Sequence, residues 1–183
     1  MGKGGIVIEG YKYTETELKK LLKSIVILVD TRERDGKNDH ILKWFDENGI
    51  KYKKMKLSGG DYSFSLPANE ELGILRDHYY ENKITIERKA NIDELIGNFS
   101  TDRNRIEDEF LRYKGNMTLL IEDGSYSDIR AGRYTSKYNA KSAIGTLHSF
   151  SVKYGVPFIF LNKEDTGCFI YCSFYYYLRS IIS

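Results

Sequence analysis

The sequence predicts an α/β domain with a mixed central sheet flanked by helices. Short apolar runs rich in β-branched residues alternate along the chain with segments whose apolar residues recur at helical spacing. The 183 residues suffice for one domain with a proper core, and no stretch rich in proline, glycine or serine divides them. Hydrophobic residues make up 41% and charged residues 30%, which is typical of a globular protein rather than a disordered chain.

The first half of the chain reads as a short helix, a buried strand, a second helix and two more strands. Residues 14–17, Thr-Glu-Thr-Glu, have the spacing of a helix-capping box, and a segment rich in leucine and lysine follows them. Residues 25–30 form an apolar run that ends in Asp30 and reads as a fully buried strand. The next segments are predicted to be a helix, a weaker strand and a half-buried strand that leaves a glycine turn: 38–49, 51–57 and 62–66.

The second half continues the alternation. Residues 84–86 read as a strand antiparallel to 62–66, with the residues between them as an excursion for which a helix is one option. A single long helix is predicted from Ile92 to Gly115, because its apolar residues share one stripe. A strand, a loop, a helix, a strand and a terminal helix complete the prediction, with the regular segments at 116–123, 139–155, 156–161 and 166–182.

Composition restricts the classes of function. Lys and Arg number 28 and Asp and Glu 26, so the net charge of +2 is too small to indicate nucleic-acid binding by itself. No run approaches the roughly 18 apolar residues of a membrane span, and the first residues lack the apolar block of a signal peptide. We therefore expect a cytoplasmic protein without a membrane partner. Cys168 and Cys172 have the wrong number and spacing for a zinc site, and we expect them in the core.

Three acidic residues stand at the ends of predicted strands. Asp30 ends the first buried strand, Asp61 opens the half-buried strand, and Glu87 follows the strand predicted to pair with it. Glu87 and Lys89 are two residues apart, so on an extended segment both project to one face. Two neighbouring carboxylates repel each other unless they share a cation, and oxygen ligands favour Mg²⁺ or Mn²⁺ over zinc.

A lysine beside such a metal ion orients the attacking water and offsets negative charge when a phosphodiester is hydrolysed. The motif Glu-x-Lys is short, and on its own it describes surface charges or the salt bridges of an interaction module equally well. The presence of acids at two further strand ends favours the metal-dependent interpretation.

Three segments resemble the nuclease signature of the XPF-type (ERCC4-domain) structure-specific endonucleases. They are VDTRE (29–33), GGDY (59–62) and ERKANID (87–93). The family pattern is V-D-x-R-E, then G-D, then E-R-K with an aspartate four residues after the lysine. The resemblance extends more loosely over residues 25–180. It implies a restriction-endonuclease-like core with the PD-(D/E)xK active-site pattern.

Carried over residue by residue, the resemblance implies a role for each matching position. Asp61, Glu87 and Lys89 occupy the places of the PD-(D/E)xK triad. Asp61 and Glu87 are implied to bind Mg²⁺, which Mn²⁺ can replace, with Asp30 as a third metal-binding acid, and Lys89 is implied to position the nucleophilic water. Three charged residues match family positions that shape the site or touch phosphate: Arg32, Glu33 and Arg88.

Two matches have a plain structural alternative. Arg32 is equally well explained as the partner in a salt bridge. Asp93, the aspartate after the E-R-K segment, also favours the N-terminus of its predicted helix through the helix dipole.

Two basic segments are candidates for contact with DNA. Arg103 and Arg105 lie on the predicted long helix, and the loop 124–141 interleaves basic and tyrosine side chains. The candidates in this loop are Arg130, Arg133, Lys137 and Tyr134. Such a mixture suits phosphate contact and base stacking, and a solvated loop with incidental tyrosines is the alternative.

The resemblance also predicts the domain organisation and the partners. We expect a single nuclease domain, 1–183, with 1–24 as an N-terminal extension that carries a short helix and 25–183 as the core. Family members that cut flaps and forks usually carry helix-hairpin-helix modules after the nuclease domain, and this sequence ends before any. We expect a nuclease-only version from a phage or prokaryote, acting alone, as a homodimer or with a DNA-binding partner protein. The apolar terminal helix is either a dimer interface or part of the core.

The leading prediction is a Mg²⁺-dependent endonuclease acting on branched, forked or flapped DNA in recombination, repair or replication. Three alternatives are an inactive DNA-binding scaffold subunit of the same fold, an interaction module, and a restriction-type duplex endonuclease. The intact motifs argue against the scaffold, because an inactive subunit has no physical need for clustered carboxylates. The fold does not separate the restriction-type enzyme from the leading prediction.

Overall fold

A computed structural model describes residues 12–33 and 36–182 of the chain. Its strands form one sheet of seven strands. In chain order they are β1 (Val26–Asp30), β2 (Lys51–Met55), β3 (Tyr62–Leu66), β4 (His78–Tyr79), β5 (Ile84–Lys89), β6 (Asn116–Glu122) and β7 (Phe158–Leu161). The order across the sheet is β2-β1-β3-β5-β6-β7, and β4 pairs with β3 outside this path.

The sheet is mixed, as predicted. β1 is parallel to β2, and β6 is parallel to both β5 and β7. β3 is antiparallel to its neighbours β1 and β5, so the predicted antiparallel pairing of the central strands is confirmed. The register between β3 and β5 contains only Tyr62 opposite Ile86, because β4 pairs with Ser65 and Leu66 at the other end of β3.

Helices cover both faces of the sheet. They are α1 (Glu15–Lys23), α2 (Asp39–Glu47), α3 (Ile92–Thr101), α4 (Arg103–Arg112), α5 (Tyr126–Ala131), α6 (Ala140–Tyr154) and α7 (Lys163–Ile182). On β6, Leu120 joins a hydrophobic cluster with α1, α2 and α7, whereas Leu119 and Ile121 join a second cluster with α3, α4 and α6. Because successive strand residues point to opposite sides, the clusters define a first face and a second face. The predicted α/β class is confirmed.

The N-terminal helix α1 begins at the predicted capping box. The Thr14 hydroxyl accepts a hydrogen bond from the Glu17 backbone N–H, and the Glu17 carboxylate accepts one from the Thr14 backbone N–H. The α1 side chains that contact the sheet belong to the first-face cluster: Leu18, Leu21 and Leu22. Residues 1–11 of the predicted extension lie outside the described residues.

The prediction of one long helix from Ile92 to Gly115 is wrong, because the helix is interrupted at Asp102. Asp102 ends α3 and precedes α4 with φ −120° and ψ 20°, outside the helical region. The hydroxyls of Ser100 and Thr101 both donate to the Gly97 carbonyl, at 2.9 and 2.8 Å, and compete with the helical backbone donors. The predicted apolar stripe is nevertheless buried on both helices.

Three further predictions need correction. β3 is buried at all five positions rather than half-buried, since helices cover both faces and Ser63 satisfies its hydroxyl by donating to the Ile84 carbonyl at 2.8 Å. The excursion between the central strands contains one 3-10 turn, Glu70–Leu72, and the short strand β4. The loop after β6 contains α5, a helix of 6 residues.

The terminal helix α7 packs against the first face. Phe174 is fully buried in the first-face cluster, which agrees with the core alternative for this side chain, while Tyr176 is exposed. The expectation of buried cysteines is wrong: Cys168 is exposed and Cys172 half-buried, because both lie on the outer side of α7. Within residues 12–33 and 36–182, no helix combines the length and apolar character that a membrane crossing requires.

Candidate active site

The charged triplet Glu87-Arg88-Lys89 lies inside a strand rather than after its end. The sequence predicts that the strand stops at Ile86, but β5 continues to Lys89 because the triplet pairs in parallel register with residues 119–121 of β6. All three charged residues are buried. Alternation along the strand puts Glu87 and Lys89 on the second face and Arg88 on the first face.

Asp61, Glu87 and Lys89 come together on the second face. Asp61 directly precedes Tyr62, a member of the first-face cluster, so the Asp61 side chain belongs to the opposite side. The Oδ2 atom of Asp61 accepts a hydrogen bond from the Arg88 backbone N–H at 2.7 Å. The Nζ atom of Lys89 lies 2.6 Å from Oε1 of Glu87. The structure thus brings three predicted site residues together, and their catalytic roles stay predictions.

The charges of this group are poorly balanced. Burial raises the pKa of the Asp61 carboxyl well above its usual range, and the charges of Glu87 and Glu33 raise it further. Burial alone lowers the pKa of Lys89, but Glu87 and Asp61 raise it by more, so the lysine is protonated at neutral pH. The group therefore attracts additional positive charge.

Asp30 lies beside this group, but its carboxylate is already occupied. Its Oδ1 accepts hydrogen bonds from N and Nε of Arg32, and its Oδ2 accepts from Nη2 of Arg32 at 2.6 Å and from the Leu57 backbone N–H at 2.9 Å. Burial raises the pKa of Asp30, but these hydrogen bonds lower it by more. Arg32 is thus in the predicted salt bridge, and metal binding by Asp30 requires these bonds to break.

Arg88 supports the site from the first face. Its Nη2 donates to Oε2 of Glu122 at 2.6 Å and to the Lys37 carbonyl at 2.9 Å, and its Nη1 lies 3.6 Å from Oε2 of Glu33. The other Glu122 oxygen lies 2.9 Å from Nε2 of His40. This network joins β5 to β6 and α2. The Arg88 backbone N–H, rather than its side chain, contacts the second-face group.

Sequence reasoning missed two acids near the site. Glu109 on α4 accepts a hydrogen bond from the Gly60 backbone N–H at 3.4 Å, and its pKa is raised by burial and then by Glu87. Its spacing from Arg105 and Arg112 on one helix face is a sequence signal that would have indicated it. Glu122 ends a buried strand, as Asp30 does, so the same criterion applied to β6 would have found it.

The chemistry of the site fits a magnesium ion held by few protein ligands. In the part of the chain that the structure describes, no three or more His, Cys, Asp or Glu side chains form a group that would hold a metal ion. Mg²⁺, however, is usually bound through one or two carboxylates, with waters and substrate phosphates completing its shell. Asp61 and Glu87 meet that requirement, since the negative charge of Glu87 raises the pKa of the buried Asp61 carboxyl. They are the residues that would hold the ion.

The predicted DNA-binding side chains of the loop 124–141 are partly engaged within the protein. Nε of Arg133 donates to Oδ1 of Asp128 at 2.7 Å, and the Tyr134 hydroxyl donates to the Tyr138 carbonyl at 2.7 Å. The two remaining predicted residues of the loop are exposed: Arg130 and Lys137. DNA contact by this loop stays a prediction.

Asp93 joins this loop to the helix that follows β5. It lies in the first turn of α3, where a negative charge is favourable, and its Oδ1 accepts hydrogen bonds from the backbone N–H and hydroxyl of Thr135 at 2.6 and 2.7 Å. These bonds lower the pKa of Asp93. The residue therefore fixes the loop in addition to its place at the helix N-terminus.

The two arginines of α4 differ in their surroundings. Nη1 of Arg103 lies 3.3 Å from the Thr146 hydroxyl and its guanidinium lies over the ring of Phe150, so it connects α4 with α6. Arg105 is exposed, with Asp102 at 3.8 Å, and lines an open groove on the second face. Of these two arginines, Arg105 is the one that lines this groove together with Glu109.

The turn that positions Asp61 should not tolerate a side chain at Gly60. Gly60 has φ +69°, and a Cβ there would lie 2.2 Å from the Thr85 hydroxyl and 3.1 Å from the Ile86 carbonyl. Gly49 has a similar φ of +65° and open space around it. We expect Gly49→Ala to cost about 1–2 kcal/mol of unfolding free energy and Gly60→Ala about 1–3 kcal/mol more, as measured by denaturant unfolding. Equal losses would mean that the turn relaxes around the methyl group.

Comparison with known proteins identifies a family and a fold. The sequence model of one family, described as the ERCC4 domain, matches residues 29–174. The solved structure of XPF from Aeropyrum pernix is similar, with a TM-score of 0.59 and 16% identity, over 84% of this chain and 65% of that chain. XPF from Aeropyrum pernix in complex with DNA gives a TM-score of 0.57 and 16% identity, over 85% and 65%.

The chain thus spans 65% of the length of these two structures. A search of curated proteins gave no match. The family match includes all three motifs from the sequence, and the structural similarity over 84% of this chain shows a shared fold. This chain belongs to the ERCC4 domain family and has the fold of an XPF-type nuclease domain.

Proposed function

We propose that this protein is a Mg²⁺-dependent endonuclease that hydrolyses phosphodiester bonds in branched, forked or flapped DNA. The observation that carries the proposal is the second-face group, in which the Asp61 carboxylate and the Glu87–Lys89 ion pair meet in the neighbourhood of one buried strand. Family membership supports nuclease chemistry. The similar XPF structure in complex with DNA supports DNA as the substrate.

Each residue of the group has a task that follows from its surroundings. A bound Mg²⁺ would supply the chemistry of a Lewis acid, polarising a phosphoryl oxygen and lowering the pKa of a water molecule. The Arg88 N–H holds Asp61 in place, so that Asp61 and Glu87 present two carboxylates to the ion. Lys89 keeps its proton because Glu87 and Asp61 raise its pKa, so it acts as a hydrogen-bond donor to the water or to the phosphate and not as a base.

The proposed function also involves a metal ion, a partner chain and DNA contacts outside the second-face group. Mn²⁺ is expected to replace Mg²⁺, since both are hard cations with oxygen ligands. A second copy of this chain or a separate DNA-binding protein is proposed to supply further contacts with branched DNA. Two exposed residues of the loop 124–141 are proposed to contact DNA phosphates: Arg130 and Lys137.

Cleavage of defined DNA structures tests the proposal. We expect the protein to cut end-labelled 3′-flap, fork or Holliday-junction DNA faster than plain duplex, and only when Mg²⁺ or Mn²⁺ is added. The Asp61→Asn variant, purified in parallel, controls for contaminating nuclease, because a contaminant is indifferent to this substitution.

The outcomes separate the rival functions. Equal cutting of duplex and branched DNA would favour the restriction-type enzyme. DNA binding without cutting of any substrate, with either metal ion, would favour the inactive scaffold. Neither cutting nor binding would favour the interaction module, and cutting that persists in Asp61→Asn would show that the site lies elsewhere.

A further inference from the structure

A basic groove runs along α4, near the second-face group of Asp61, Glu87 and Lys89. It encloses about 540 Å³ between that helix and the turn that joins β2 to β3. Five cationic residues line it: Arg32, Lys56, Arg105, Arg112 and Lys114. Glu109 is the one acidic residue among those lining it. Although the net charge of the chain is only +2, this surface carries a clear excess of positive charge.

The groove is continuous with the proposed catalytic group. Arg105, Glu109 and Arg112 follow one another at intervals of four and three residues, so they form one stripe along α4. Glu109 is bonded to the N–H of Gly60, the residue that precedes Asp61, and its pKa is influenced by Glu87. Through Glu109, the stripe on α4 therefore reaches the turn that carries the Asp61 carboxylate.

The opposite wall of the groove is held in place by hydrogen bonds. The Leu57 N–H donates to Asp30, and Ser58 donates through its N–H to Glu81 and through its hydroxyl to Asn82, at 3.3 and 3.0 Å. The ring of Tyr113 lies directly against Gly59, where a Cβ would approach it to 2.9 Å. A wall fixed at these points keeps its shape without a ligand.

The cations of the groove are available for a ligand. Lys56, Arg112 and Lys114 are exposed, and none of them has a carboxylate partner within 4.0 Å in the described part of the chain. Among the described residues, the hydrogen-bond acceptors of Arg112 and Lys114 are backbone carbonyls of α4, those of Asp108 and Leu111. Arg32, in contrast, is neutralised by Asp30. Three positive charges thus face solvent without a compensating carboxylate among the residues that the structure describes.

We infer that this groove holds the phosphate backbone of the nucleic-acid strand that enters the site, with Lys56, Arg112 and Lys114 as its phosphate-binding residues. The inference rests on the proposed nuclease function and names the substrate-binding surface of that same site. Arg105 and Arg112 are seven residues apart, about 10 Å along a helix. One strand of a DNA duplex carries a phosphate about every 3.4 Å of the helix axis, so the stripe spans about three phosphates of a duplex strand that lies along it.

The test is binding measured apart from cleavage, by fluorescence anisotropy of labelled single-stranded and duplex oligonucleotides in EDTA over a range of salt concentrations. The triple variant Lys56→Ala, Arg112→Ala and Lys114→Ala should bind about tenfold more weakly or worse. The slope of log affinity against log salt should fall in magnitude by about two for the single-stranded oligonucleotide and by nearly three for the duplex. Because cleavage does not enter this measurement, the inference and the nuclease proposal fail in different experiments.

The matched control removes three lysines from α1, on the other side of the sheet: Lys19→Ala, Lys20→Ala and Lys23→Ala. It changes the net charge by the same amount, so it reports the effect of overall charge alone. Thermal unfolding checks that both triple variants fold, and the three single groove variants are measured as well, each with an expected fall in slope of about one.

Each outcome bears on the inference. A loss of oligonucleotide affinity that is confined to the groove variants, with the affinity of the α1 variant close to that of the parent, supports the inference. Equal losses of affinity in the two triple variants, or no loss of affinity in either, would overturn the inference. It would also be overturned if the parent bound inorganic phosphate in this groove but no oligonucleotide. Equal competition by polyglutamate of matched charge would assign the groove to an acidic peptide instead.

Discussion

Replacement of Lys89 by alanine should lower both the stability of the protein and its cleavage rate. Nζ of Lys89 lies 2.6 Å from Oε1 of Glu87, and the two side chains are only 8% and 11% exposed. Removal of one partner of a buried ion pair leaves the other charge uncompensated, which costs about 3–5 kcal/mol. We expect a loss of this size in chelator at neutral pH, measured by denaturant unfolding.

The expected effect of Lys89→Ala on cleavage is about a hundredfold to a thousandfold, the size seen when one positioned electrostatic group is removed. The double variant Glu87→Gln with Lys89→Met is the matched control for stability. It removes both charges and keeps similar shapes, so it should recover much of the stability that Lys89→Ala loses. It should not recover cleavage, because a metal-binding carboxylate has also been lost. If Lys89→Ala were as stable as the parent, the ion pair between Lys89 and Glu87 would not contribute to the stability of the fold.

The burial of this ion pair is a feature that sequence patterns indicated only in part. The alternation of apolar runs and helical stripes predicted the order of the elements, because periodicity reports which face of an element is buried. The same rule placed Glu87 and Lys89 on one face. It ended the strand too early, at Ile86, because charged residues are rarely found inside a strand covered on both sides. Here Lys89 compensates Glu87 and Glu122 compensates Arg88.

The remaining differences arise from contacts between segments distant in sequence. The family resemblance implied Asp30 as a metal ligand and left a salt bridge of Arg32 open, and only the fold shows that Arg32 and Leu57 both donate hydrogen bonds to the Asp30 carboxylate. Glu109 and Lys56 are far apart in the chain, and the pairing of β3 with β1 and β5 brings their segments to one groove. Local periodicity carries no information on such pairings, so the candidate site could be named from sequence while its surroundings could not.

Asp61→Asn should have the opposite effect on stability from its effect on cleavage. Cleavage should fall by about a thousandfold or more, since one of the two carboxylates proposed to hold the metal ion is lost. The metal-free variant should nevertheless be more stable than the parent at neutral pH. Asparagine can still accept the hydrogen bond from the Arg88 N–H, and its NH₂ group replaces a carboxylate that Glu87 and Glu33 repel. Each kcal/mol gained corresponds to about 2–4 °C in Tm for a chain of this size.

The pH dependence follows from the raised pKa of Asp61. Above the ordinary aspartate pKa of 3.8, the Asp61 carboxyl holds its proton more tightly in the folded parent than in the unfolded chain. Its stability therefore declines as pH rises from that value through the raised pKa, and the advantage of Asp61→Asn grows over the same interval and then levels off. Thermal unfolding of both proteins in EDTA from pH 4 to pH 8 measures this difference.

Asp93→Asn provides a control with the reverse sign. The pKa of Asp93 is lowered by its hydrogen bonds from Thr135, so its carboxylate stabilises the fold and the substitution should cost stability above the ordinary aspartate pKa. Added Mg²⁺ should raise the Tm of the parent and of Asp93→Asn, but not that of Asp61→Asn, because a ligand stabilises only the protein that binds it. If Asp61→Asn were less stable than the parent at pH 8 without metal, repulsion among the acids would not be the force that prepares this site for a cation.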